Sequence, residues 1–309
     1  MTLFLIFLII VGLTVIGLAV YYLNKRNKRK KRKKGGAGSH APFSLPSPFS
    51  SPPSNQFNIY SYLSGGGWGG AEDPRLTLIN DTIFMFYVAM YSGLPQLTIT
   101  SIKKDDFLSR NWNWQEPKNI SPPGVIVKSG VLFPEKIKGR YAIFYRIFPN
   151  IWIDFVDDLD FQNGKYLNGR PCIKIRKNSW DSRKIGAGAP PIKTKYGWLL
   201  VYYGVDEAEA SKYKIGAMLL DLEDPCKVLV RSAEPILEPE EWYENQGHKP
   251  GIVYPCGAVV KDNKLLIYYG AADSYTAVAF ADFDEFLEAL REKIKPKFTK
   301  KVLKKKVRM

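Results

Sequence analysis

Four apolar runs punctuate the chain: Thr82–Tyr87, Tyr141–Tyr145, Trp198–Tyr203 and Leu265–Tyr269. Each follows a turn signal, namely Asn80-Asp81, Lys138-Gly139-Arg140, Tyr196-Gly197 and Asp262-Asn263. β-Branched and aromatic side chains fill the runs, which favours strands. Tyr87, Tyr145, Tyr202 and Tyr268 recur at steps of 58, 57 and 66 residues. Recurrence of a strand at a nearly fixed step predicts an all-β fold of propeller type. One helix is expected, over Asp282–Ile294, where Phe283, Phe286, Leu287, Leu290 and Ile294 keep helical spacing. Asp284 and Glu285 sit where the helix dipole favours acids.

A different pattern occupies the N-terminus. Leu3–Leu23 is an uncharged run of 21 residues, long enough at about 1.5 Å per residue to cross a bilayer as a helix. No charge precedes it, and nine basic residues follow it within Lys25–Lys34. A signal peptide would carry its basic residues before a shorter apolar core. The expectation is therefore a single-pass membrane protein with an N-terminal transmembrane helix and its folded domain in the cytoplasm. Residues 1–24 form the anchor, 25–56 a basic and Pro/Ser/Gly-rich linker, 57–292 the propeller and 293–309 a basic tail.

The net charge of +15 changes meaning once it is located. Nine basic residues and no acid lie in Lys293–Met309, matching the nine beside the anchor, and the remaining chain carries 27 basic against 30 acidic residues. Basic runs without a docking fold give nonspecific nucleic-acid affinity at best, so nucleic acid is not expected as a partner. Anionic membrane lipids suit both runs, as does plain solvation. Cys172, Cys226 and Cys256 form a sparse, odd set without CxxC spacing, which argues against a disulfide scaffold or a zinc site and suits a reducing compartment. With His40 in the linker, His248 is the domain's one histidine, so neither a histidine metal site nor a Ser-His-Asp triad is expected.

The chemistry concentrates in Gly70-Ala71-Glu72-Asp73-Pro74-Arg75, two carboxylates and a guanidinium behind a glycine-rich run. Pro74 fixes its own φ and pushes Asp73 towards an extended conformation, which would aim the acid from stiff backbone. Further motifs follow in order. They are Phe133-Pro134-Glu135-Lys136-Ile137, Lys184-Ile185-Gly186-Ala187-Gly188-Ala189-Pro190-Pro191-Ile192 and Tyr268-Tyr269-Gly270-Ala271-Ala272-Asp273, with Arg146 and Gly197-Trp198-Leu199 between.

In this order the motifs resemble glycoside hydrolase family 130, the β-mannoside phosphorylases and β-mannosidases. The resemblance runs from about Gly70 to Asp273. It implies a five-bladed β-propeller, of which the first blade would here be reduced or atypical, since Phe57–Trp68 is too short for four strands. It implies Asp73 as the catalytic acid, with Arg75 and Asp273 holding the sugar by charge-assisted hydrogen bonds. For Asp273 a turn-capping role stays open. Lys136, Arg146 and Lys184 are the basic residues beside matched motifs and the candidates for phosphate, with surface ion pairs as the alternative.

No cofactor is expected, only inorganic phosphate as co-substrate alongside a carbohydrate. Family phosphorylases read Tyr-His-Gly where this chain has Tyr202-Tyr203-Gly204. A phenol can hydrogen-bond phosphate but cannot add an imidazolium's charge. An inverting mannosidase therefore remains an alternative, with Glu135 or Glu244 activating water. A non-catalytic glycan-binding propeller is another.

Overall fold

A computed structural model describes residues 70–91 and 93–304. These form four antiparallel sheets in chain order. The first contains β1 (Ala71–Ile79), β2 (Thr82–Tyr91), β3 (Leu94–Lys103) and β4 (Lys118–Asn119), with the short helix α1 (Lys104–Leu108) between its last two strands. The second contains β5 (Lys128–Leu132), β6 (Tyr141–Ile147), β7 (Asn150–Val156) and β8 (Arg170–Ile173). The third is built on β11 (Gly197–Val205), which pairs with β9 (Lys184–Ala187), β10 (Ile192–Thr194) and β12 (Lys214–Leu220), and β12 pairs in turn with β13 (Val228–Arg231). After helix α2 (Trp242–Asn245), the fourth contains β14 (Val253–Lys261), β15 (Lys264–Ala271), β16 (Tyr275–Asp282) and β17 (Thr299–Lys304). Helix α3 (Phe283–Arg291) precedes β17.

The four apolar runs of the sequence fall on β2, β6, β11 and β15, the second strand of the first, second and fourth sheets and the long central strand of the third. That placement explains their composition. A strand flanked on both edges and covered on both faces is buried throughout, as β11 is at every residue, so it reads as a continuous apolar run rather than an alternation. Three apolar layers separate the sheets. Phe86, Leu97 and Tyr145 contribute to the layer between the first and second. Phe144, Ile153 and Trp198 lie between the second and third, and Leu199, Ile267 and Phe286 between the third and fourth. The strands that begin the sheets converge, with β5 packing on β1 and β9, and β1 packing on β14. This is a propeller-like arrangement, with four sheets among the described residues.

Helix α3 forms where helical spacing predicted it. The Asp282 carboxylate caps it by accepting from the backbone N–H groups of Asp284 and Glu285. Phe286, Leu287 and Leu290 are buried in the third layer, whereas Ile294 lies past the helix end and is exposed.

Several expectations need correction. Among the described residues no helix is long and apolar enough to cross a membrane. The expected span over residues 3–23, and the linker after it, lie outside the described residues. The membrane placement read from the sequence is therefore withdrawn. The segment read as a basic tail contributes β17, which pairs with β16. Its Lys300 is buried against Glu244 at 3.0 Å and Glu240 at 3.1 Å, so that charge answers internal carboxylates rather than lipid. Cys172 and Cys226, from a set whose spacing argued against a disulfide scaffold, form a disulfide with Cα atoms 5.0 Å apart, while Cys256 is free. The pairing joins β8 to the turn before β13 across two sheets, a proximity that sequence spacing does not reveal.

Candidate active site

One end of the strand assembly holds a cavity of about 270 Å³. Its lining follows a simple rule. Glu72 and Asp73 start β1, Lys128 and Ser129 start β5, Lys184 starts β9 and Tyr254 starts β14. Arg146 closes β6, Tyr203 lies near the end of β11, and Asp273 follows β15. Tyr213, Lys249 and Ile252 complete the wall from the segments that lead into β12 and β14. In an antiparallel hairpin the start of one strand faces the end of the next, as the Lys128–Arg146 and Lys184–Val205 pairs do. All these side chains therefore gather at the open ends of the hairpins.

The backbone is unusual at three polar positions. Asp73, Ser129 and Asp273 adopt φ values of 58°, 55° and 49°. Left-handed conformations are uncommon for residues with a Cβ and concentrate where surrounding structure aims a side chain. Pro74 was expected to hold Asp73 extended, and the structure corrects this. A register shift between Glu72 and Arg75 interrupts the β1–β2 ladder there, so the chain turns at Asp73. A second shift lies between Lys128 and Val131, around Ser129.

Asp73 accepts a 2.8 Å hydrogen bond at Oδ2 from the Tyr254 hydroxyl. Burial, aided by the negative charge of Asp73, pushes the Tyr254 pKa well above that of an ordinary phenol, so the O–H is retained. The Ser129 hydroxyl lies 3.4 Å from the Tyr254 oxygen and 3.0 Å from that of Tyr203. The rings of Tyr203 and Tyr254 are 4.8 Å apart and those of Tyr203 and Tyr213 5.7 Å. Gly186, on β9 beside Tyr203, makes room for the phenol, since a Cβ there would stand 2.5 Å from its oxygen. Tyr202, one residue earlier, points the other way, as strand alternation requires. Its hydroxyl bonds buried Asp181, which is ion-paired to Arg176 and Arg231.

The charges divide into two groups. Glu72 pairs with Lys128 at 2.5 Å and Asp273 with Lys249 at 2.8 Å. Arg146 and Lys184, by contrast, form no ion pair with any described residue. The Arg146 Nε is buried without a hydrogen-bond partner. Burial opposes its charge, but the oxygens of Tyr203, Tyr254 and Tyr213 and the Asp73 carboxylate outweigh burial and raise its pKa. The Lys184 ammonium bonds the Tyr213 hydroxyl. Burial first, then the positive charges of Arg146, Arg183 and Lys128, lower its pKa despite Tyr203 nearby. Two partly buried cations side by side without an ion-pair partner are costly unless an anion joins them.

Of the residues singled out in the sequence, Asp73, Arg146, Lys184, Tyr203 and Asp273 meet in this cavity. Four do not. Arg75 is 1% exposed and donates to three carbonyl oxygens, through Nε to Gly188 at 2.9 Å, Nη1 to Asp73 at 2.6 Å and Nη2 to Pro255 at 3.2 Å. Glu135 and Lys136 occupy the β5–β6 turn, at the opposite end of the hairpin from Arg146. There Glu135 pairs with Lys193, and the Lys136 ammonium lies over the Tyr141 ring. Glu244 is fully buried in α2 and accepts from Tyr269, Lys300 and the backbone of Glu240 and Glu241. Buried outside the cavity and already accepting from these donors, it is not placed to activate a water there.

Ser129, Tyr213, Lys249 and Tyr254 were missed as site residues. Ser129 and Tyr254 are second residues of the strands that begin the second and fourth sheets, whereas Tyr213 and Lys249 lie in the segments leading into β12 and β14, and no sequence signal marks the four as a set.

Residues 63–292 match a family model described as beta-1,4-mannooligosaccharide phosphorylase. Over 221 residues the chain is 39% identical to the 1,2-beta-oligomannan phosphorylase of a Thermoanaerobacter species, covering 70% of this chain and 69% of that one. It is 33% identical to the beta-1,4-mannooligosaccharide phosphorylase of Ruminococcus albus, covering 72% and 66%. Among solved structures, the beta-1,2-mannobiose phosphorylase of Listeria innocua in complex with beta-1,2-mannobiose matches with a TM-score of 0.63 at 36% identity, covering 72% of this chain and 61% of that one. The chain thus spans 61 to 69% of the length of these relatives.

Proposed function

The chain belongs to glycoside hydrolase family 130, and on that premise we propose that it is a β-mannoside phosphorylase. It cleaves a β-mannosidic bond with inorganic phosphate and inverts the anomeric carbon to give mannose 1-phosphate. The observation that carries this reading is the pair Arg146 and Lys184, two cations in the cavity with no carboxylate partner. A tetrahedral dianion would supply the missing counter-charge. Relatives named as mannoside phosphorylases, at 33 to 39% identity, support the same chemistry.

Asp73 is the acid. Its proton passes to the departing glycosidic oxygen, directly or through a sugar hydroxyl, while a phosphate oxygen bonds to the anomeric carbon from the opposite face. Asp273, held by Lys249, and Glu72, held by Lys128, offer oxygens to sugar hydroxyls. Hydrolysis loses ground because neither Glu135 nor Glu244 lies in the cavity, and its other carboxylates, Glu72 and Asp273, are ion-paired. The same reading takes the four described sheets as part of a five-bladed ring.

The test uses the full chain with β-1,2-mannobiose or β-1,4-mannobiose, with and without inorganic phosphate. Formation of mannose 1-phosphate that requires phosphate and disappears in Asp73→Asn is expected. Release of free mannose at equal rates with and without phosphate would overturn the proposal in favour of a hydrolase.

A further inference from the structure

Asp73, Tyr254, Ser129 and Tyr203 stand on β1, β14, β5 and β11, one residue from each described sheet, and their polar atoms form a continuous chain. The contacts are 2.8 Å from the Tyr254 oxygen to Asp73 Oδ2, 3.4 Å from Ser129 Oγ to the Tyr254 oxygen and 3.0 Å from Ser129 Oγ to the Tyr203 oxygen. A carboxylate only accepts, so Tyr254 must donate to Asp73. The Tyr254 oxygen can then only accept at its 3.4 Å contact with Ser129. At the shorter contact, between Ser129 and Tyr203, either hydroxyl can donate. The carboxylate thus sets the direction of the Tyr254 hydrogen.

One consequence follows from that direction. Oδ2 of Asp73 is occupied by a donor, so the transferable proton belongs on Oδ1. The Tyr254 ring is itself immobilised, with the Arg75 guanidinium 5.2 Å from its centroid and the Tyr203 ring 4.8 Å away.

We propose that Tyr254 is a positioning residue for Asp73, which by donating to Oδ2 leaves Oδ1 to carry the proton and present it to the leaving oxygen. The inference rests on the phosphorylase reading for the reaction it serves. In the step, the Oδ1–H bond breaks and the proton ends on the leaving sugar oxygen. The C1–O bond electrons go to that oxygen, phosphate supplies the new C1–O bond, and Tyr254 stays a neutral phenol throughout.

The experiment compares full-length wild type and Tyr254→Phe on two substrates with inorganic phosphate. One is β-1,2-mannobiose, whose leaving sugar needs a proton. The other is 2,4-dinitrophenyl β-mannoside, whose leaving group does not. Loss of a positioned acid is expected to lower kcat/KM on mannobiose by about 100-fold, and on the aryl mannoside by less than about fivefold. Asp73→Asn should show the same selectivity, more strongly. Equal losses on both substrates would mean a merely structural tyrosine and would overturn the proposal, as would no loss on either.

If Tyr254→Phe fails to fold, Ser129→Gly takes its place. Glycine suits the positive φ at that position, and removal of the hydroxyl should give a smaller loss with the same selectivity. Wild-type cleavage that ignores phosphate would defeat the phosphorylase reading alone, and the two-substrate comparison would still decide the role of Tyr254. A wild type silent on both substrates would overturn both.

Discussion

Arg75 donates through Nη1 to the backbone carbonyl of Asp73 at 2.6 Å, so the candidate acid is held from behind by a residue two positions along its own strand. The same guanidinium bonds the Gly188 and Pro255 carbonyls, tying the first, third and fourth sheets together beneath the cavity floor. Its charge is secured because Tyr254, Asp73 and Cys256 together outweigh the burial that opposes it. Replacing Arg75 by Met should leave three buried carbonyls short of a donor and cost at least about 2 kcal/mol. Urea denaturation checks this. Activity should fall as well, through kcat rather than KM for the sugar, because Asp73 loses its backbone support.

Arg146→Met and Lys184→Met should each raise KM for phosphate and leave the affinity for mannobiose nearly unchanged. A charge-assisted contact of this kind is worth roughly 10- to 100-fold in kcat/KM for phosphate. Initial rates against varied phosphate at saturating mannoside provide the measurement. A matching rise in KM for the sugar would place these cations elsewhere in the reaction.

The Lys184 ammonium supplies a pH dependence with a definite sign. Burial, with Arg146, Arg183 and Lys128 nearby, lowers its pKa, so in the free enzyme its charge is complete at low pH and is lost as pH rises through that lowered value. Phosphate KM should therefore climb on the alkaline side before an ordinary lysine would titrate. Lys184→Arg should remove that limb, since a guanidinium keeps its charge. Profiles of kcat/KM for phosphate in the two proteins test this.

Glu244 offers a contrast between structural and catalytic carboxylates. Removing it in Glu244→Ala would leave the Lys300 ammonium, 8% exposed, without its buried partner, at a cost of roughly 3 kcal/mol. The folded fraction should nevertheless keep wild-type KM values for sugar and phosphate. Thermal unfolding and kinetics on the same preparation separate the two effects.

The Cys172–Cys226 disulfide closes a loop with a sequence separation of 54. On the chain-entropy account that is worth about 4 kcal/mol. Reduction, or Cys172→Ala with Cys226→Ala, should lower Tm without changing the phosphate dependence of the reaction, because both residues lie away from the cavity lining.

Much of the fold was legible because its signals are local. The aromatic, β-branched runs mark the buried central strands, and the apolar spacing after Asp282 marks α3. Five site residues were legible for a related reason, since each lies in or beside a motif at the open end of a hairpin. Glu135 and Lys136 stand in such a motif too, but at the turn end of their hairpin, and proximity along the chain carried them in wrongly. Arg75 was misplaced by one interruption of the β1–β2 ladder, which turns Asp73 to the cavity and leaves the guanidinium beneath it.

The order of residues by itself determined the strand-rich composition, the repeat and the family, and it singled out Asp73 as the candidate acid, because these depend on neighbours in the chain. Tertiary structure alone decided which charges are paired. Glu244 meets Lys300 across 56 residues, Asp73 meets Tyr254 across 181, and Cys172 meets Cys226 across 54. Arg146 and Lys184 form no ion pair among the described residues. A charge has the same side chain whether it is spent within the fold or kept for a ligand. Only the packing of the four sheets determines which groups stand within a few ångströms of it, and so which cations remain for an anion.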